Sequence, residues 1–282
     1  WGDAVSLARA KNITVLYVVD PEFPTLTSRW NPTNPLQKAG HADIVETQDG
    51  DLYMVHLCGR PLPSRGRCVL GRETAIQKIE WDSGGWPRIA GGGREPLLDV
   101  LAPDLPAHPW PDEPTRDDFN SDTLNPQFQT LRVPLGEDRM SLNERPGFLR
   151  LKGSGSLTSF HEQALVARRQ TAFRYTASTC LEFAPTHYKQ MAGILAYYDT
   201  NNYHYLHVTH DEKAGKCLQV ISTIDSKPAF PLSQPIPVQD DAPVHLRIDV
   251  DFDILKFSWS KDGNDGWHTI DHEFNASLLS DD

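Results

Sequence analysis

The chain has 282 residues, 39% of them apolar, and a formal net charge of −11 at pH 7. That length supports one large or two ordinary domains with real cores. The acidic balance argues against nucleic acid or an anionic membrane as partner, because both demand a basic surface, and no apolar run reaches the ~20 residues of a bilayer-spanning helix.

The chain opens on Trp1 rather than Met, and WGDAVSLARA at 1–10 carries neither a basic n-region nor an apolar h-region. The opening reads as that of a fragment or a processed chain, and the compartment, intracellular or secreted, stays open. DAVSLARAK at 3–11 fits either one helical turn or a strand. NITVLYVV at 12–19 is β-branched and aromatic and reads as a strand. HADIVET at 41–47 alternates and stops at Gln48-Asp49-Gly50-Asp51, where the Asp-Gly step signals a hairpin turn into LYMVHL at 52–57. ETAIQKIEWD at 73–82 alternates again, with Ala75, Ile76, Ile79 and Trp81 apolar, and SGGWPRI closes it. Trp81 and Trp86 read as core and blade-closing residues rather than sugar-stacking ones. Short strands at regular spacing over 1–90 favour a propeller or sandwich over an α/β fold.

Residues 91–116 hold six prolines and three consecutive glycines, a density that prevents a regular sheet. They read as a linker that lies against a surface through Leu97, Leu98, Val100, Leu101 and Trp110. From 117 to 282 strand follows strand, at least seven at intervals of roughly ten residues, the pattern of a two-sheet β-sandwich. Tyr197, Tyr198, Tyr203 and Tyr205 could form a carbohydrate platform on one sandwich face, but alternation buries half of them, so a structural role is favoured.

Four cysteines, Cys58, Cys68, Cys180 and Cys217, are too few and scattered for a disulfide framework or a zinc site. A Cys58–Cys68 bridge and ordinary half-buried thiols both remain open, with thiols favoured. Asn12-Ile-Thr14 and Asn275-Ala-Ser277 are glycosylation triplets of the kind that also arise by chance. The acidic turns Asp199–Asn202 and Asp262–Asp265 offer oxygen ligands, so calcium is possible, although no EF-hand register fits.

Taken alone, His41 at a strand mouth reads as a structural histidine, and Arg72 as a surface or salt-bridge arginine. Asp43, two residues on, would share the face of His41. Arg60, after a glycine, reads as solvent-facing. Glu73, next to Arg72, points to the opposite strand face, whereas Thr74 shares the face of Arg72. His56 and Cys58 read as packed residues.

Several stretches together resemble a known family. LQKAGHADIVETQDGDLYMVHLCGRPL and CVLGRETAIQKIEWDSGGWPRI resemble the glycoside hydrolase family 43 β-xylosidases. DDFNSDTLNPQFQTLR, LTSFHEQALVARRQTAFRYTAST and MAGILAYYDTNNYHYLHVT resemble the accessory sandwich of the same enzymes. The resemblance covers essentially the whole chain. It implies an all-β protein: a partial five-bladed β-propeller over 1–90, the linker 91–116, and a concanavalin-like β-sandwich over 117–282. It implies inverting, exo-acting hydrolysis of xylo-oligosaccharides or arabinoxylan-derived chains, possibly with α-L-arabinofuranosidase activity, and a possible homo-oligomer. It further implies His41 and Arg72 as substrate-binding residues, to which the strand face shared with Arg72 adds Thr74, together with His41 as a possible metal position at the propeller axis and no required cofactor. The acid glutamate and two aspartates of the family would precede Trp1, so the isolated chain is expected to be inactive. The sandwich would also continue past Asp282. The alternative is a non-catalytic carbohydrate-binding or structural module.

Overall fold

The computed structural model describes residues 2–63, 66–239 and 241–280. The protein is all-β, with a single turn of 3-10 helix at Ala276–Leu278 among the described residues. It divides into two units, one containing the chain up to Pro109 together with Ser280, the other Trp110–Leu279.

In the first unit, β1 (Gln37–Glu46), β2 (Leu52–Gly59), β3 (Glu73–Trp81) and β4 (Pro87–Ile89) form an antiparallel meander in that order. Such a four-stranded sheet is the unit of a propeller blade. The β1–β2 turn closes with Thr47 N–H on Asp51 O at 2.8 Å and Gly50 N–H on Thr47 O at 3.1 Å. Gly50 sits at φ +85°, a conformation that glycine adopts without the clash a Cβ would bring. One side of the sheet packs Met54 and Ile79 against Val5, Leu26, Ala39 and Ile89. Strand alternation sends His56 and Cys58 to the side of Met54, and both are buried. The opposite side presents Val45, Val55 and Ile76 to solvent.

Several local expectations change here. Residues 3–11 form no helix; Val5 bridges to Leu26, and Ala8–Arg9 pairs with Val18–Val19. That two-residue pairing is all the strand found in 12–19, and Ile13 and Leu16 are 86% and 89% exposed. β-branched side chains favour a strand only where neighbours pack on them, and this segment has few. Trp81 is not a core residue: it is 63% exposed, whereas Trp86 is 5% exposed beneath the Arg9 guanidinium, 4.3 Å from its ring centre. Cys58 and Cys68 are buried free thiols, not a disulfide.

Part of the Pro- and Gly-rich segment, from Arg94 to Leu101, is bonded to the first unit, but the leucines of the segment do not hold it. Leu97, Leu98 and Leu101 are 46%, 60% and 73% exposed, and Trp110 is 85% exposed. Backbone groups hold it instead. Buried Gln77 donates Nε2–H to Leu97 O at 3.0 Å and accepts Leu97 N–H on Oε1 at 3.0 Å. Asn34 Nδ2 donates to Pro96 O at 3.1 Å, Thr27 N–H to Arg94 O at 2.8 Å, and Tyr53 Oη–H to Leu101 O at 3.2 Å. Proline deprives a segment of donors but not of carbonyls, and those carbonyls are what the sheet captures.

In the second unit, β5 (Arg174–Leu181), β6 (Ala192–Asp199), β7 (Asn202–Asp211), β8 (Gly215–Ile224), β9 (Val244–Asp251) and β10 (Ile254–Ser260) build two antiparallel sheets. One runs β6-β7-β8 and gains Lys227–Ala229 and Ile236–Pro237 on β8; the other runs β5-β9-β10 and gains His268–Thr269 and Phe274–Asn275 on β10. Leu206, Val208, Leu218 and Val220 from the first sheet meet Leu246, Ile248, Leu255 and Phe257 from the second in one core. Gly193 lets β6 approach β7: a Cβ there would stand 2.1 Å from Leu206 O. The tyrosine cluster is no platform, because Tyr203 and Tyr205 are 5% and 7% exposed and Tyr205 stacks on His207 at 4.8 Å. Asn275 spends its Oδ1 on Ser277 N–H and Oγ–H, capping the 3-10 turn.

Candidate functional site

The bends in β1 decide where His41 sits. Gln37 pairs with Gly59, Gly40 with Leu57 and Asp43 with Val55, so three residues of β1 twice oppose two of β2. Each bulge contains a non-glycine residue of positive φ, Lys38 at 56° and His41 at 48°. That region disfavours side chains bearing a Cβ and persists only when the surroundings fix it. They do so here: a Cβ on Gly40 would lie 2.6 Å from Asp3 Cβ and 2.9 Å from Ala4 N, so glycine alone lets the 3–4 segment press on the strand. Ala39 N–H is held by Ser28 Oγ at 3.2 Å. His41 is thus presented, exposed, on a bulge with a fixed backbone.

The bulge interrupts the period of two between His41 and Asp43, so the shared face expected from simple alternation does not carry across. Asp43 Oδ1 accepts its neighbour's N–H, from Ile44, at 2.8 Å. Its role in the described structure is local.

Across the sheet, Gly40 pairs with Leu57, and Leu57 with Thr74. Thr74 therefore stands two interstrand spacings, about 10 Å, from the His41 bulge at the same end of the sheet. Arg72 precedes it by one pleat repeat, and Thr74, Arg72 and His41 are all exposed. The Arg72 guanidinium has no hydrogen-bond or ion-pair partner among the described residues. Its five N–H donors are free for an incoming polar group.

Two neighbouring groups are occupied. Arg60, read from sequence as solvent-facing, clamps Glu73: Nη2 lies 2.7 Å from Oε1 and Nε 3.0 Å from Oε2. The β2–β3 register pairs Cys58 with Glu73 and so brings Arg60 near that carboxylate, which sequence spacing does not reveal. Burial, and then the Glu73 charge, push the Cys58 thiol up, so it is no nucleophile. Beneath this pair, His56 Nδ1 lies 2.9 Å from Leu57 O, which assigns the proton to Nδ1. Burial lowers its pKa, keeping the ring neutral, and Nε2 faces Gln77 Nε2 at 3.4 Å.

A second charged cluster escaped sequence reasoning. Arg88 binds Asp20 through Nη1–Oδ2 at 2.5 Å and Nη2–Oδ1 at 2.8 Å, while Thr25 Oγ1 donates to Oδ2 at 3.0 Å. Arg88 Nε lies 3.0 Å from Asp82 Oδ2. The Arg88 guanidinium holds the Asp20 carboxyl down to about 2, against desolvation that would raise it. The only local hint is an aspartate closing an apolar run. Its partner lies 68 residues away.

No group of three or more His, Cys, Asp or Glu side chains is placed to hold a metal among the described residues. Asp199 Oδ1 accepts from Asn201 N–H at 2.8 Å and Asn202 Nδ2 at 3.0 Å, and Asp262 Oδ1 accepts from Asn264 N–H at 3.1 Å. Both acidic turns thus use a carboxylate oxygen within their own loops.

A four-stranded blade sheet in one unit and a two-sheet sandwich in the other define an all-β protein of propeller and sandwich type. Glycosyl hydrolases family 43 matches residues 1–87, and the Beta xylosidase C-terminal Concanavalin A-like domain matches residues 116–282. The chain belongs to glycoside hydrolase family 43. It is 42% identical over 290 residues to a xylan 1,3-beta-xylosidase of Vibrio sp., covering 99% of this chain and 53% of that protein. It is 41% identical over 289 residues to a beta-xylosidase of Bacillus subtilis strain 168, covering 99% of this chain and 54% of that protein. The crystal structure of xylan beta-1,4-xylosidase from Bacillus halodurans C-125 superposes with a TM-score of 0.96 at 46% identity, over 99% of this chain and 53% of that one. The chain therefore spans about half the length of these relatives.

Proposed function

We propose that the chain forms the substrate-holding side of an inverting, exo-acting β-xylosidase that trims xylo-oligosaccharides or arabinoxylan-derived chains. The observation that carries this reading is the unpaired, exposed Arg72 guanidinium at the same end of the sheet as the fixed His41 bulge. A planar fork of donors suits vicinal sugar hydroxyls, and it also keeps a nearby carboxylate ionised. His41 offers one more donor or acceptor, and Thr74 a hydroxyl.

Inverting hydrolysis needs an acid to protonate the leaving oxygen and a base to activate water on the opposite sugar face, about 6.5–9.5 Å apart. We assign neither role to this chain. Glu73 is clamped by Arg60 and Asp43 is engaged by its own strand. Both carboxyl groups are assigned to sequence outside these residues.

The test uses the protein as its own gene encodes it. Arg72→Ala should lower kcat/KM on an aryl β-xyloside by about 10- to 100-fold, the worth of a charged hydrogen bond. An aryl α-L-arabinofuranoside measured alongside reports the second specificity. Wild-type turnover in that variant refutes the role of Arg72. Robust turnover by the 282-residue chain alone refutes the assignment of the carboxylates.

A further inference from the structure

The chain contains three Asp-Gly steps, at Asp49-Gly50, Asp262-Gly263 and Asp265-Gly266. A glycine after aspartate carries no Cβ, so its backbone nitrogen can approach the side-chain carboxyl closely. All three glycines hold positive φ, at 85°, 74° and 72°, and all three aspartates are exposed. The steps differ in what their reacting groups are already bound to.

At the first step, Gly50 N–H donates to Thr47 O at 3.1 Å, within a hairpin closed by Thr47 N–H on Asp51 O and by Asp51 N–H on Thr47 Oγ1. At the second, Gly263 N–H donates to Ser260 Oγ at 3.2 Å. The Asp262 carboxylate is engaged as well: Oδ1 accepts Asn264 N–H at 3.1 Å. Buried Ser260 has two acceptors in reach of its hydroxyl proton, Asp262 Oδ1 at 3.1 Å and Asp265 O at 3.3 Å. Hydrogen bonds, that from Asn264 first, hold the Asp262 carboxyl below its usual range, and an ionised carboxylate is a poor target for attack. At the third step, neither Gly266 N–H nor the Asp265 carboxyl has a hydrogen-bond or ion-pair partner among the described residues.

We propose that Asp265 is a site of spontaneous covalent modification, converting to isoaspartate in the folded protein in preference to Asp49 and Asp262. The Gly266 nitrogen attacks Cγ of the protonated Asp265 carboxyl. The new N–C bond closes a succinimide ring, and the amide proton leaves with the carboxyl hydroxyl as water. A second water adds to the backbone carbonyl of Asp265. Its bond to the Gly266 nitrogen breaks, the electron pair staying on nitrogen, which takes up a proton and remains bonded through Cγ. One water leaves and one enters, so no other reactant is needed. The chain then runs through the side chain, one carbon longer, with a free α-carboxylate. That carbon falls just before Trp267, whose ring lies 4.5 Å from the Arg247 guanidinium, and before His268, which pairs with Trp259. An amide already engaged must break its hydrogen bond before it attacks, which slows it about fivefold for a bond of ordinary strength.

The test incubates the protein, as its own gene encodes it, for several weeks at mildly acidic pH. Electron-transfer fragmentation of its peptides locates isoaspartate, and an isoaspartyl methyltransferase with labelled S-adenosylmethionine counts it. Asp265 should exceed Asp49 and Asp262 at least about fivefold. In guanidinium, where no turn persists, that preference should disappear. Ser260→Ala removes the acceptor of Gly263 N–H and one donor to Asp262, and should raise isoaspartate at Asp262 towards the level at Asp265. Thermal melting checks that this variant folds, and the folded against unfolded wild type carries the test if it does not. Equal isoaspartate at the three sites of the folded protein, or a preference for Asp265 that survives unfolding, would overturn the proposal. So would a folded Ser260→Ala protein in which Asp262 stays at its wild-type level.

Discussion

Replacing Asp20 by Asn keeps the shape of the side chain and removes its charge, leaving Arg88 beside a neutral amide. Asp20 has a fully buried side chain and Arg88 a side chain 15% exposed, so solvent cannot compensate. The folded carboxyl sits at about 2 against 3.8 unperturbed. That difference is worth about 2.4 kcal/mol at neutral pH, and uncovering the arginine brings the expected loss to about 2–4 kcal/mol. Because the folded value is depressed, this stabilisation is complete above the unfolded pKa and is lost as pH falls from near 4 towards 2. Hydrogen exchange of peptides covering 18–28 and 86–90 should show faster opening in the variant at pH 7. In urea unfolding, the gap to wild type should narrow below pH 4. Asp20→Leu with Arg88→Met should recover much of the loss, since a packed apolar pair carries no desolvation penalty. A variant within 0.5 kcal/mol of wild type at pH 7, or a gap that stays constant down to pH 2, would refute the reasoning (thresholds set by the ~1 kcal/mol scale of ordinary surface changes).

His204 and His207 are buried and held near 4, first by desolvation, so they stay neutral in the fold and take up protons only when it opens. The second unit should therefore lose stability as pH falls from 6.5 towards 4, and His204→Gln should flatten that slope in melts taken from pH 7.5 to 4.5, by up to about 1.4 kcal/mol per pH unit. Gly193→Ala should lower the unfolding free energy of the second unit, measured in urea, by at least about 2 kcal/mol, because its Cβ meets the Leu206 carbonyl. Gly215→Ala, at φ +70° in open space, should cost only about 1 kcal/mol.

The elements that were legible are those written in local pattern. Asp49-Gly50 marked its hairpin because positive φ at a tight turn selects glycine, and 73–82 showed its alternation because one face is packed. The bulges at Lys38 and His41 were hidden, since nothing in either residue asks for positive φ; Gly40 and the chain at Asp3–Ala4 impose it. Trp81 and Trp86 are the same residue type five positions apart, yet one is exposed and the other is buried beneath the distant Arg9. Arg60–Glu73 and Asp20–Arg88 depend on pairings across the fold, which no periodicity encodes. The Tyr197–Tyr205 run drew attention through its aromatic letters, whereas Tyr203 and Tyr205 are buried in the fold.

The hydrogen bonds from Gln77, Asn34 and Tyr53 to the segment 94–101 alter how the chain can be divided. Gln77 is fully buried, and its amide has both its oxygen and its nitrogen on Leu97. A chain cut just after the last strand of the sheet would leave the Gln77 amide oxygen without its donor, its nitrogen with only His56 Nε2 at 3.4 Å, and the Asn34 donor without Pro96 O. Each such loss costs about 1–3 kcal/mol, a large fraction of the stability of a small domain. The first unit should therefore be prepared as a piece that reaches at least Leu101. Protease nicks within 94–101 should unravel β3 before they separate the two units.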